Sequence, residues 1–298
     1  MNPRTPTGQP PQGKNRAFPL KKSKIDWNLF KEWLFKEYMP VTAKDRLRYA
    51  LKYHQFLLSG DLSRLMLMSE SQRVHTMKAL SCLSKFLGIH EDFKRMVKNH
   101  GLKWGSKRGD LLIIKRLTGV TDPNEIFEWI IQVKKAAPEY SCFMDFIAAT
   151  GIRYNEAIGS YNLIVNLAAK GRLEEYYRNE VLEHFRFKEF FIRRSKKLFI
   201  SFVPESVIRK ILEKAELVDW SKIKKAVAWR VGRLRFADIR EFWASYMTRR
   251  LSQPEIDFLQ GRVSMSVFMK NYFNPVWIRD LKDRTLKAQS EILMKINV

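Results

Sequence analysis

The chain has 298 residues, 45% of them hydrophobic, and carries 55 lysines and arginines against 31 acids. That length holds two ordinary domains with cores of their own, and the apolar content excludes a chain that is disordered throughout. A net charge of +24 and a pI of about 10.0 call for a polyanionic partner, nucleic acid first, because each phosphate neutralised releases counterions.

Residues Met1 to Lys24 hold Pro3, Pro6, Pro10, Pro11 and Pro19 among Arg4, Lys14, Arg16, Lys21, Lys22 and Lys24, with no acid. This composition predicts a flexible basic arm over 1–24. Helices follow over 25–100. Asp26 is placed to cap a helix from Trp27 to Met39, with Trp27, Phe30, Leu34 and Tyr38 on one face and Pro40 as its stop. Thr42 opens a second helix, Ala43 to Leu58, whose polar face carries Lys44, Arg46, Arg48 and Lys52. A third is expected from Ser71 to Phe86 and a fourth from Glu91 to Lys98. Three glycines and a charge cluster mark 101–110 as a linker, in which Lys103, Lys107 and Arg108 are candidate phosphate contacts.

A second domain is expected over 111–298. Helices are predicted from Asp122 to Ala136 and from Ser141 to Thr150. Phe185–Arg194 and Leu198–Val203 are rich in aromatic and β-branched residues and flank a polar Arg194-Ser195-Lys196-Lys197 turn, which reads as a β-hairpin. Helices resume over Glu205–Ala215, Ser221–Val231, Ile239–Arg250, Glu255–Gln260 and Val267–Tyr272, and an amphipathic stretch spans Ile278–Ile296. The fold class is mainly α with a small β-hairpin or sheet.

Cys82 and Cys142 are far apart, flank apolar residues and read as core thiols, with no disulfide framework. No run of about 18 apolar residues is present to span a bilayer, and the N-terminus lacks the apolar segment of a signal peptide. A soluble, cytoplasmic, nucleoid-associated protein is expected. Walker loops, dinucleotide fingerprints, HExxH and an acidic metal cluster are all missing from the sequence, so neither metal nor cofactor is expected.

Three segments carry the chemistry: Thr150-Gly151-Ile152-Arg153-Tyr154-Asn155-Glu156, Ala237-Asp238-Ile239-Arg240-Glu241-Phe242-Trp243-Ala244-Ser245, and Leu259-Gln260-Gly261-Arg262 followed ten residues later by Tyr272. Arginine holds two phosphate oxygens in a planar fork and keeps its charge, and a phenol can attack phosphorus. In this order the segments resemble the tyrosine recombinases, the family of phage-type integrases and chromosome-dimer resolvases. The first matches that family's T-G-x-R-x-x-E box throughout. The second matches H-x-x-R except that Ala237 stands where the histidine would be. The third has Arg262 where histidine or tryptophan is usual, a combination that resembles divergent archaeal plasmid and virus integrases.

The resemblance implies an N-terminal helical core-binding domain and a C-terminal catalytic domain. It implies that Arg153, Arg240 and Arg262 clamp a scissile phosphate, that Tyr272 is the nucleophile, and that a hairpin lysine is the general acid. Lys196 and Lys197 are both candidates for the acid, Lys197 also as a DNA contact. Glu241 could help take the tyrosine proton, although it reads first as a surface residue, and Asp238 reads as a helix cap. The implied partners are double-stranded DNA at a specific attachment site and a homo-tetramer on two duplexes. After Tyr272 the tail either packs on its own domain or reaches a neighbouring protomer. The alternatives are a type IB-like DNA topoisomerase and a catalytically inactive DNA-binding protein on the same scaffold, the second kept open by Ala237.

Overall fold

The computed structural model describes residues 25–104, 114, 117–118, 124–193, 196–262 and 271–297. The expected basic arm, most of the 101–110 linker with Lys107 and Arg108, and most of the expected Val267–Tyr272 helix lie outside them. The chain divides between Thr118 and Gly119 into two compact units. No helix among the described residues is long and apolar enough to cross a membrane.

In the first unit, α1 runs Trp27–Glu37, and the Asp26 carboxylate accepts from the amides of Asn28 and Leu29, both at 3.0 Å. Pro40 does not end this helix; it starts α2, Pro40–Ser59, as its first residue. A proline needs no amide partner there and its φ is already helical, so α2 begins earlier than Thr42 would place it. Gly60, at φ 73°, closes α2. The next helices are α3, Glu70–Phe86, and α4, His90–Asn99. Phe30, Leu34, Leu57, Leu80, Leu83 and Phe93 join in one core.

The second unit is a helical body with small antiparallel strands. It contains α5 (Asn124–Ala136), α6 (Ser141–Thr150) and α7 (Tyr154–Ala168), then β1 (Tyr177–Arg178) and β2 (Val181–Leu182). These are followed by β3 (Ile192–Arg193), β4 (Lys196–Lys197) and β5 (Ser201–Phe202). The chain continues with α8 (Glu205–Lys214), α9 (Trp220–Arg230), α10 (Phe236–Met247), α11 (Gln253–Leu259) and α12 (Leu281–Ile296). One sheet has the order β1-β2-β5, and β3 pairs only with β4, in the register Ile192↔Lys197 and Arg193↔Lys196.

The hairpin is therefore much shorter than its aromatic run suggests. His184–Arg186 is a 3-10 turn, Lys188–Phe191 is a helical turn, and β5 pairs with β2. Lys196 and Lys197 form a strand rather than the turn. The cause is burial. Phe191 and Leu198 go into the core, Phe191 beside Tyr176 and His184, so these residues serve packing in three directions rather than one face of a ladder.

The C-terminal helix settles where the tail goes in this chain. Leu281, Ala288, Ile292 and Ile296 of α12 are buried in the unit's own core, and α12 packs on α5, α6, α10 and β5. The Lys134 ammonium closes its end, donating to the Ile296 carbonyl at 3.0 Å, to Asn297 Oδ1 at 2.6 Å and to the buried Asp145 at 2.6 Å. A cation at exposed helix carbonyls is the favourable sign for the helix dipole. Of the two courses open to the tail, α12 takes the first and packs on its own domain.

Candidate active site

Arg153 stands at the corner between α6 and α7. Helix α6 ends at Gly151 in the left-handed conformation, φ 60°, and a Cβ at this position would lie 2.2 Å from Trp243 Cγ. Only glycine permits both the turn and the close approach of the indole. Arg153 then precedes α7, and its amide donates to Glu156 Oε2 at 3.3 Å, half of a capping box. Its guanidinium donates to the fully buried Glu156 at 3.0 and 3.2 Å and stays 25% accessible. Thus the last residue of the T-G-x-R-x-x-E box holds the arginine in place.

Arg240 lies one turn into α10, half-buried. Its Nη1 donates to the Gly151 carbonyl at 3.2 Å and its Nη2 to the Gln260 carbonyl at 2.6 Å. The Gln260 side chain is completely buried and binds the Gly151 carbonyl at 3.2 Å and the Arg240 carbonyl at 2.9 Å. Gln260 thereby locks all three motif segments together, a role that its place inside a motif does not announce. The remaining signal is a polar residue between Leu259 and the helix-ending Gly261.

Arg262 is fixed by backbone geometry. Gly261, at φ 61°, ends α11; its amide donates to the Phe258 carbonyl at 2.9 Å, and the Arg262 amide donates to the Asp257 carbonyl at 2.7 Å. This pair of bonds is a Schellman stop, and it turns Arg262 out to solvent. A Cβ on Gly261 would sit 2.1 Å from the Lys197 carbonyl, so β4 and the Arg262 turn touch backbone to backbone.

The Arg240 guanidinium bonds two carbonyls, of Gly151 and Gln260, that each lie two residues before another arginine of the motifs, Arg153 and Arg262. Burial, and then the like charges of Arg153 and Arg262, lower the Arg240 guanidinium from its ordinary value to about 9, with Glu156 and Asp257 opposing them. Arg240 keeps its charge at neutral pH.

The other sequence candidates fall out as follows. Ala237 is exposed in the first turn of α10, and Glu241 is exposed beyond Arg240. Asp238 is not the cap. Phe236 packs against Trp129 and Trp220, which starts α10 three residues earlier than expected, and Asp238 accepts from Arg235 Nε at 2.9 Å inside the first turn. His184 opens the 3-10 turn His184–Arg186. It is fully buried between the Tyr176 hydroxyl, 2.6 Å from Nδ1, and Ser201 Oγ, 2.8 Å from Nε2, and burial lowers its pKa from 6.5 to about 3. Tyr246 is buried and donates to Glu291 Oε2 at 3.0 Å, and Tyr161 and Tyr176 are buried as well. Tyr272 is 72% accessible. Lys197 is half-buried on β4, and of Lys196 the backbone pairing with Arg193 is described.

In the first unit Arg48 is 71% accessible and bonds Asp45 at 2.8 Å. Lys52 is exposed, with its ammonium 5.2 Å from the Tyr53 ring centre, and Lys103 is exposed. The Arg46 side chain is only 13% accessible and turns inward beside Asp45.

A family model described as archaeal phage integrase matches residues 119–285. The chain belongs to the archaeal phage integrase family. The match takes in Arg153, Lys196, Lys197, Arg240, Arg262 and Tyr272 and covers nearly all of the second unit. No curated protein sequence matches the chain significantly.

Proposed function

We propose that this integrase-family chain is a tyrosine-type site-specific recombinase. Tyr272 attacks the scissile phosphorus. The bond from phosphorus to the 5′-oxygen breaks, and a 3′-phosphotyrosyl link and a free 5′-hydroxyl form. Arg153, Arg240 and Arg262 hold the non-bridging oxygens as negative charge develops on them. Lys196 or Lys197 gives a proton to the departing 5′-oxygen. The tyrosine proton passes to solvent, to which the hydroxyl is open. Attack by the 5′-hydroxyl of a second strand reverses the step, so the bond energy is kept and strands are exchanged. The first unit would grip duplex DNA at an attachment site, with Arg48, Lys52, Lys103, Lys107 and Arg108 on the backbone, and four protomers would act on two duplexes.

The observation that carries this reading is that Arg240 bonds the Gly151 and Gln260 carbonyls, which brings together the segments bearing Arg153 and Arg262, while Gly261 abuts the hairpin strand that bears the two lysines. The test is a duplex nicked near the cleavage site, incubated with the protein and run on a denaturing gel. Wild-type protein should give a covalent adduct that persists in EDTA. Tyr272→Phe should bind DNA normally and give none. Arg153→Ala and Arg240→Ala should each lose about 10²–10³ in cleavage rate. A wild-type protein that binds the duplex and never becomes linked to it would instead favour the inactive DNA-binding scaffold to which Ala237 points.

A further inference from the structure

An aromatic ladder outside the arginine site joins three segments that the reaction uses. The Phe199 and Phe258 rings stack at 6.0 Å with an interplanar angle of 8°, and the Phe258 and Phe273 rings meet at 5.5 Å and 50°. Phe199 lies two residues beyond Lys197. Phe258 lies on α11, and its carbonyl accepts from the Gly261 amide in the turn that presents Arg262. Phe273 adjoins Tyr272. All three rings are half-buried, so the ladder lies at the surface of the core rather than inside it.

A second contact joins two of these segments. The Lys197 carbonyl rests against the Cα of Gly261 so closely that no side chain fits between them. The amide of Phe185 donates to the Phe199 carbonyl at 3.0 Å and holds that end of the ladder to the body. Tyr272 itself is 72% accessible, and its side chain is not packed in the core. The nearest fixed point to it along the chain, on its C-terminal side, is the Phe273 ring.

We propose that Phe258 is a positioning residue: through Phe273 it sets the place of the nucleophile, and through Phe199 it sets the place of the hairpin lysine, so that attack and proton donation are aligned on one phosphate. This rests on the reading of Tyr272 as nucleophile and of Lys196 or Lys197 as acid. A side chain that must approach an in-line geometry loses about 10²-fold for a displacement near 1 Å. Phe199→Ala should therefore loosen the acid alone, Phe273→Ala the nucleophile alone, and Phe258→Ala both.

A substrate whose 5′-bridging oxygen is replaced by sulfur separates the two arms, since a thiolate leaves without a proton. Adduct formation is measured on the oxygen and sulfur duplexes, with duplex affinity and thermal melting as controls. On the oxygen substrate Phe199→Ala and Phe273→Ala should each fall about 10²-fold in rate and Phe258→Ala further, toward about 10⁴-fold, while affinity stays within about threefold. On the sulfur substrate Phe199→Ala should return to the wild-type rate, Phe273→Ala should stay slow, and Phe258→Ala should recover only to the level of Phe273→Ala. A merely structural role would slow both substrates equally. Leucine variants, which keep most of the volume without the ring, replace any alanine variant that does not fold, and the same pattern is expected of them. The proposal is overturned if the variants cleave the oxygen duplex at the wild-type rate, or if sulfur restores all of them or none. Wild-type protein that forms no adduct on either duplex overturns the nucleophile assignment, and the ladder's role with it.

Discussion

Replacing Gly151 by alanine tests the corner that presents Arg153. The residue sits at φ 60°, and a Cβ would lie 2.2 Å from Trp243 Cγ and 2.3 Å from Cδ2, where carbon atoms ordinarily rest about 3.5–4.0 Å apart. The left-handed backbone costs a non-glycine residue about 1–2 kcal/mol. Forcing the indole aside in a filled core costs about 1–3 kcal/mol more. Trp243 is 1% exposed, and its Nε1 donates to the Ala149 carbonyl at 2.7 Å, so moving it endangers a buried bond of about 1 kcal/mol. The sum is about 3–6 kcal/mol, against a typical native stability of about 5–15 kcal/mol. At about 2–4 °C per kcal/mol for a domain of this size, the melting temperature should fall by roughly 6–24 °C. Cleavage should fall too, because the Gly151 carbonyl receives both Arg240 and Gln260. Gly159 is the internal control. It lies within α7, and a methyl group added there would meet nothing within 4 Å, so Gly159→Ala should stabilise by about 0.5–1 kcal/mol. Should Gly151→Ala melt within about 2 °C of wild type, the packing of Trp243 on this corner would be refuted.

Three further outcomes are expected. The protein should lose stability as pH falls from about 6.5 toward about 3, because the unfolded His184 binds a proton there and the buried one does not; the slope from this group approaches about 1.4 kcal/mol per pH unit and should vanish in a His184→Gln variant followed by denaturant titration. Truncation after Asn274 should unfold the second unit rather than merely weaken assembly, since Leu281, Ile292 and Ile296 together contribute roughly 5–9 kcal/mol of burial; retained circular dichroism and a cooperative melt would contradict this. Affinity for duplex DNA should fall with salt at about −0.9 per neutralised phosphate on logarithmic axes, and deletion of residues 1–24 should make the slope shallower; an unchanged slope would remove the arm from the interface.

Local features of the candidate site were legible in the order of residues alone. Thr150-Gly151-Ile152-Arg153 could be read because glycine at a helix end and an arginine beyond it are local facts, and the Asp26 cap and the long amphipathic helices are local in the same way. Their hydrogen bonds close within a few residues, so the chain's own order carries the information. The order of Arg153, Arg240, Arg262 and Tyr272 in their motifs resembles the integrases, and the family match bears that membership out. What lay beyond that reading depended on contacts between segments far apart in the chain. The aromatic run from Phe185 looked like a strand, yet Tyr176 and His184 draw Phe191 inward and leave β3 and β4 with two residues each. Asp238 had the chemistry of a cap, but Trp129 and Trp220 hold Phe236 and move the helix start past it. The tail after Tyr272 was amphipathic enough for either a neighbour or its own domain. Only the core between α5, α6 and α10, with Lys134 at its far end, assigned it to the latter. Gln260, buried and bonded to both Gly151 and Arg240, was one polar residue among many until folding brought three motifs to it, since burial is a property of the assembled core and not of the local sequence.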